Sequence, residues 1–347
     1  PTKRISRMIR DFYWKGLTRR MDKSGIEAFI SDTKNETLTA EVLPVYVSHL
    51  DKLAITYYQS LEDTLPIKTV ILPEDISPEY VKSINDKPGI LSLKLEEVNG
   101  NIEGVPFVVP GGRFNEMYGW DSYFEAIGLI CDGKVHLAKA MADNFQYQIE
   151  NYGKILNANR SYYLTRTQPP FLSSFIVETY KADASLGKEW LSRVLKTAIK
   201  EYETVWMQAP RLTENGLNRY YAQGIGVPPE TEEGHFDEEL KKYAEKEGIS
   251  IREFAKMYQD GAIINEELDR YFVHDRSLRE SGHDTSWRLD DVCADLNTVD
   301  LNSLLYKYEW DFAYLIDTYF DGEFSFPNIP KGTYKIEISY NWPMAIG

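Results

Sequence analysis

After Gly112, apolar residues recur every three to four positions, the spacing of amphipathic helices. Over 134–152, Val135, Ala138, Met141, Phe145, Ile149 and Tyr152 share one helical face, and Gly153 follows as a natural C-cap. Over 186–206, Trp190, Val194, Ala198, Tyr202 and Trp206 recur once per turn, with Leu191, Leu195 and Ile199 alongside. The same period predicts helices over 171–181, 236–247, 250–259 and 289–319. Near the start, Ile5, Met8, Ile9 and Phe12 form a stripe at helical spacing within a basic stretch, 1–23. That stretch reads as a solvated basic helix face or as a transit peptide.

Two regions break the helical pattern. Residues 64–110 hold "PIKTVILPED", "GILSLKLEEV" and "VPFVVPGG", short β-branched or alternating runs between Pro and Gly. They predict extended segments that cover another part of the fold, not helices. In 321–342, Phe324, Phe326, Tyr334, Ile336, Ile338 and Tyr340 alternate around "PNIPKG", a hairpin signal. The division that follows is an arm with covering segments over 1–110, a helical body over 111–320 and a β-patterned tail over 321–347. Long polar, aromatic-rich loops between the helices suit an α/α architecture whose loops carry function.

Composition narrows the chemistry. The chain has 347 residues, 43% of them hydrophobic, and a net charge of −15. That charge excludes a phosphate-binding surface as the main feature, so no nucleic-acid partner is expected. It suits a neutral substrate. Twenty-four Tyr and seven Trp are either ordinary core and surface aromatics or stacking faces for a sugar ring. Two cysteines, Cys131 and Cys293, give no disulfide framework or zinc pattern, and five histidines show no ligand spacing. No metal and no cofactor are expected. No long apolar run or signal sequence is seen, so a cytoplasmic protein without membrane contact is expected.

Four stretches concentrate polar chemistry. "PGGRFNEMYGWDSYF" (110–124) combines a tight turn, the donor fork of Arg113 and the pair Trp120–Asp121, or is simply a glycine-rich helix start. "NANRSYYLTRTQPPF" (157–171) supplies Asn157, Arg166 and Gln168, groups that each bond two hydroxyls, or is a solvated loop. "GIGVPPETEEGHF" (224–236) sets Glu230 after two prolines, or is a charged surface run. "RESGHDTSWR" (279–288) holds Arg279, Gly282 and two acids, Glu280 and Asp284. A carboxyl desolvated beside Trp287 would stay protonated near neutral pH and serve as a general acid.

In order and spacing these four stretches resemble the landmarks of the trehalase family, glycoside hydrolases that split α,α-trehalose, and most of all its neutral fungal branch. The resemblance covers about residues 1–316. It implies an all-α fold of the (α/α)6 toroid type, of which 111–320 would be the first part, and an inverting mechanism. Asp284 matches the general acid. Arg113, Asn157, Arg166 and Arg279 match residues that hold the two glucose units, and Trp120, Asp121, Gln168, Glu230 and Gly282 match other pocket positions. Glu280 becomes a supporting group.

The family's general base lies downstream of motifs that this sequence lacks, and nothing marks Glu309, Asp311 or Asp317 as its substitute. The chain therefore reads as the N-terminal half or more of a trehalase. The alternative is a sugar-binding or regulatory remnant without turnover. The resemblance leaves room for a regulatory protein partner in a full-length form. A partial toroid is also expected to leave the Trp190/Val194/Ala198 face uncovered.

Overall fold

The computed structural model describes residues 1–31, 42–284 and 286–324. Helical backbone runs without a break from Thr2 to Leu17, as α1 (Thr2–Met8), a wider turn (Ile9–Tyr13) and α2 (Trp14–Leu17). The chain then enters β1 (Thr18–Arg19) and α3 (Lys23–Ile30).

The extended segments form a small βαβαβ unit. β2 (Leu43–Val47), β3 (Ile67–Ile71) and β4 (Ile90–Leu91) are parallel in the order β3-β2-β4. The crossovers are α4 (Lys52–Leu61) and α5 (Pro78–Ser83). So 64–110 is not free of helix. Ser77 caps α5 by accepting from the Tyr80 N–H, and Pro78 opens its first turn. β5 (Leu95–Val98) and β6 (Asn101–Gly104) form a hairpin. Its two-residue turn needs positive φ twice, which Asn99 (53°) and Gly100 (80°) supply. β7 (Phe107–Val108) returns antiparallel to β1.

The body is helical, as expected for the α/α class. α6 (Asp121–Cys131), α7 (Val135–Tyr152), α8 (Leu172–Ala182) and α9 (Gly187–Glu201) pack on one another, and α13 (Val299–Phe320) closes against α8 and α9. One apolar core runs from Met21 and Phe29 through Phe145 and Phe175 to Phe312 and Ile316. Asp143, buried in this core, accepts from the Trp190 indole at 2.9 Å and pairs with Lys139. Trp190, Val194 and Ala198 are buried, so the expectation of an uncovered face there is overturned. On α13, Tyr306, Trp310 and Tyr314, one turn apart, are exposed instead.

α10 (Asp237–Glu247) and α11 (Ile251–Gln259) form a hairpin turned by Gly248 in the left-handed region. With α12 (Glu266–Glu280) they enclose a second core of Phe236, Leu240, Phe254 and Phe272. The helix expected over 289–319 starts later, at Val299; a short 3-10 turn at Cys293–Asp295 precedes it. Most of the hairpin expected over 321–342 lies outside the described residues.

Candidate active site

The four polar stretches meet at the start of α6, the end of α12 and the two loops between. The 157–168 loop is laid against 117–120 by backbone pairing. The Gly119 N–H donates to the Asn157 carbonyl at 3.1 Å, and the Asn157 N–H to the Arg166 carbonyl at 3.0 Å. Gln168 accepts from the Trp120 N–H at 2.9 Å. Asn159 fixes this corner to the sheet, accepting from the Met117 N–H and donating to the Leu91 carbonyl. Deep beside it, Arg160 donates to Glu116 at 2.8 Å.

The second and third stretches are joined by charge. Arg166, buried and stacked over the Tyr163 ring, pairs with Glu230 at 2.5 Å. Burial alone would raise the Glu230 carboxyl, but Arg166 holds it below its ordinary value. The loop behind Glu230 is gripped by buried Arg276, which donates to the Gly226 and Ile225 carbonyls. Burial pushes that guanidinium down to about 10.

The first and fourth stretches touch directly. Gly282 has φ +73°, and a Cβ there would lie 2.7 Å from the Trp120 ring. Glycine therefore serves both the turn and the approach of backbone to indole. Asp121 opens α6 one residue after Trp120. Burial raises its carboxyl, and the negative charge of Asp284 raises it further.

Glu280 and Asp284 part company. Glu280 is buried with both oxygens engaged. Arg211 donates to them at 2.8 and 3.2 Å, Tyr221 N–H at 3.0 Å and Thr167 N–H at 3.2 Å. This carboxylate ties three loops together and has no oxygen free for a substrate. Asp284 is exposed, and Trp287 is 79% exposed. The burial of Asp284 against Trp287 that the sequence suggested is not found.

Arg279 is bound at its base to Asp275 (2.9 Å) and reaches the His235 ring at 3.2 Å. Arg113 is exposed and lies over the Phe114 ring at 4.8 Å; among the described residues it makes no ion pair. Asn157 is buried.

Several groups here were not singled out from sequence. Arg211 and Arg276 stand in no recognisable motif, and His235 lies in the third stretch without a role assigned to it. Glu125 sits one turn after Asp121, and both its carboxylate oxygens are buried without a hydrogen-bond partner among the described residues. Burial, with the charge of Asp121, pushes this acid up to about 9. Its i+4 spacing from Asp121 was the available signal.

Of the other acids considered as a base, Asp311 and Glu309 are held by structural contacts. Asp311 accepts from Ser173 (2.9 Å) and Ser174 (3.0 Å) and pairs with Lys307. Glu309 is bonded by the Tyr202 hydroxyl. Asp317 is exposed.

The Trehalase family profile matches residues 2–331. The chain belongs to the trehalase family. The match runs past residue 316, further than the motifs alone suggested. Cytosolic neutral trehalase of Kluyveromyces lactis is 47% identical over 346 residues, 96% of this chain and 46% of that protein. Cytosolic neutral trehalase of Saccharomyces cerevisiae is 45% identical over 341 residues, 94% of this chain and 45% of that protein. The solved neutral trehalase Nth1 of Saccharomyces cerevisiae superposes with a TM-score of 0.88 at 45% identity, covering 92% of this chain and 61% of that one. The chain thus spans about half the length of the curated relatives it matches. Among the described residues, no helix is long and apolar enough to cross a membrane.

Proposed function

We propose that this trehalase-family chain carries the acid side of an inverting α,α-trehalase site. Asp284 protonates the glycosidic oxygen as the bond to the anomeric carbon breaks. Trp120 offers an aromatic face to a glucose ring, with Gly282 allowing the backbone of the acid loop to close on it. Arg166, Glu230, Asn157, Gln168, Asp121, Arg279 and Arg113 supply the hydroxyl donors and acceptors of the cradle. Trehalose is the substrate and the cytosol the location, as the names of the relatives suggest; no cofactor enters the chemistry. A regulatory protein partner would act on a full-length form.

The observation that supports it most is the convergence of the four stretches through direct contacts. Trp120 meets Gln168 and Gly282, and Arg166 meets Glu230. An inverting hydrolase also needs a carboxylate roughly 6.5–9.5 Å from the acid to activate water. Glu280, Glu309 and Asp311 are committed elsewhere. None of these three acids serves as that base, so the cradle binds trehalose while turnover depends on a second carboxylate.

The test is calorimetric titration of trehalose with glucose release followed by NMR, beside Asp284→Asn and Arg166→Ala. Binding that survives Asp284→Asn and is lost in Arg166→Ala supports the cradle. Equal α- and β-glucose, abolished in Asp284→Asn, would put the base within this chain. Neither binding nor release would sink the reading for this chain.

A further inference from the structure

The N-terminal helical stretch has no part in the proposed site. None of its residues from Thr2 to Leu17 is buried. Its apolar stripe lies open, with Ile5 56% and Phe12 66% exposed. Lys3, Arg4 and Arg7 are exposed around it. The last turn is the anchored part. The Trp14 indole donates to Asp132 at 2.6 Å, and its ring lies against Gly128. A helix this short is marginal in water unless its apolar stripe is covered. Apolar anchors at positions 5, 8, 9 and 12 among cations are the pattern of a helix that lies in a groove.

The molecule also carries a groove of the opposite character. A cleft of about 1170 Å³ runs between α5, the 225–237 loop and the α10–α11 hairpin. Ile225, Val227, Leu240 and Ile251 give it apolar lining. Glu79, Asp86, Glu232, Glu233, Asp237 and Asp260 line it as acids, against Lys82 and Arg252 as bases. Two turns of a helix about 10 Å across occupy on the order of 850 Å³, which this cleft accommodates.

We propose that the Thr2–Leu17 helix of one copy docks in this cleft of a second copy. Apolar stripe meets apolar lining, and the Lys/Arg flank meets the acidic rim. A bilayer or nucleic acid fits less well, because an extended anionic surface faces the whole molecule at net charge −15. A docked helix faces only the rim, with the rest screened beyond about 8–10 Å. Helix and cleft are different surfaces, so two copies close by exchanging helices reciprocally, or the contact repeats into a ring or filament. The rim residue His235 touches Arg279, so the docked helix rests on the loop that bears Glu230.

Sedimentation equilibrium of the whole chain from low to high micromolar concentration tests this. The mass should rise above that of the monomer and fall as salt is added. Arg4→Glu with Arg7→Glu should give a monomer, as should Glu232→Lys with Glu233→Lys, and as should Phe12→Ser. The chain with all four charge reversals should associate again. All positions are exposed, and circular dichroism checks that each variant keeps its fold. A monomer at every concentration overturns the proposal. So does association indifferent to the reversals, or a quadruple variant that stays monomeric. Binding to phosphatidylserine vesicles without self-association overturns it in favour of a membrane role.

Discussion

Glu280 holds Arg211 and two backbone N–H groups from inside the protein, while Asp284 stands in solvent a few residues on. Removing one partner of a buried ion pair leaves the other charge stranded, at about 3–5 kcal/mol. Glu280→Ala should therefore lower the urea midpoint steeply or abolish folding, whereas Asp284→Asn should leave the midpoint unchanged. Gly282→Ala asks a side chain to take a left-handed φ and to push on the Trp120 ring. It should cost roughly 1–2 kcal/mol from the backbone alone, and weaken trehalose binding by moving the indole. Titration beside a denaturation curve separates the two effects. Glu125 and Glu201 give a pH signature. Burial raises them to about 9 and about 7. The folded state thus binds more protons than the unfolded one above the ordinary Glu value, and stability falls as pH rises through that window. Glu125→Gln should raise the urea midpoint more at pH 8 than at pH 5; an equal gain at both would mean Glu125 is ionised throughout.

At the level of elements, α12 sets where the acid loop begins. Its first turn is capped by Asn265, which accepts from the Leu268 N–H at 3.0 Å. Asn265→Ala should remove about 1 kcal/mol of stability, with hydrogen exchange rising in the first turn of α12. This helix is absent from the hydrophobic pattern because its buried face carries His274, Asp275, Arg276, Ser277 and Glu280. A buried face that mixes these polar groups with Leu268, Phe272 and Leu278 leaves only a broken apolar period to read. The cap and the acids Glu266, Glu267 and Asp269 were the legible trace. α5 was hidden likewise by its shortness, although Ser77-Pro78 marks its start. The apolar helices α7 to α9 were readable from period alone. Of the site, the polar types and their order were visible in the sequence. The pairing of Arg166 with Glu230, and the role of Glu280, depend on loops distant in sequence meeting in space.

For the molecule as a whole, the open aromatic row of α13 is a liability that soluble chains limit. Tyr306→Ser with Trp310→Ser should lower binding of a hydrophobic dye, with little change in the thermal midpoint. The continuous core has a further consequence, which concerns synthesis. The Leu172 N–H is satisfied by the Tyr308 hydroxyl, 136 residues later in the chain, and Ser173 waits for Asp311. At about 5–20 residues per second, α8 leaves the ribosome roughly 7–27 s before α13 can cover it. During that interval its apolar face is a client for chaperones, and slowing translation between the two helices should lengthen the exposure.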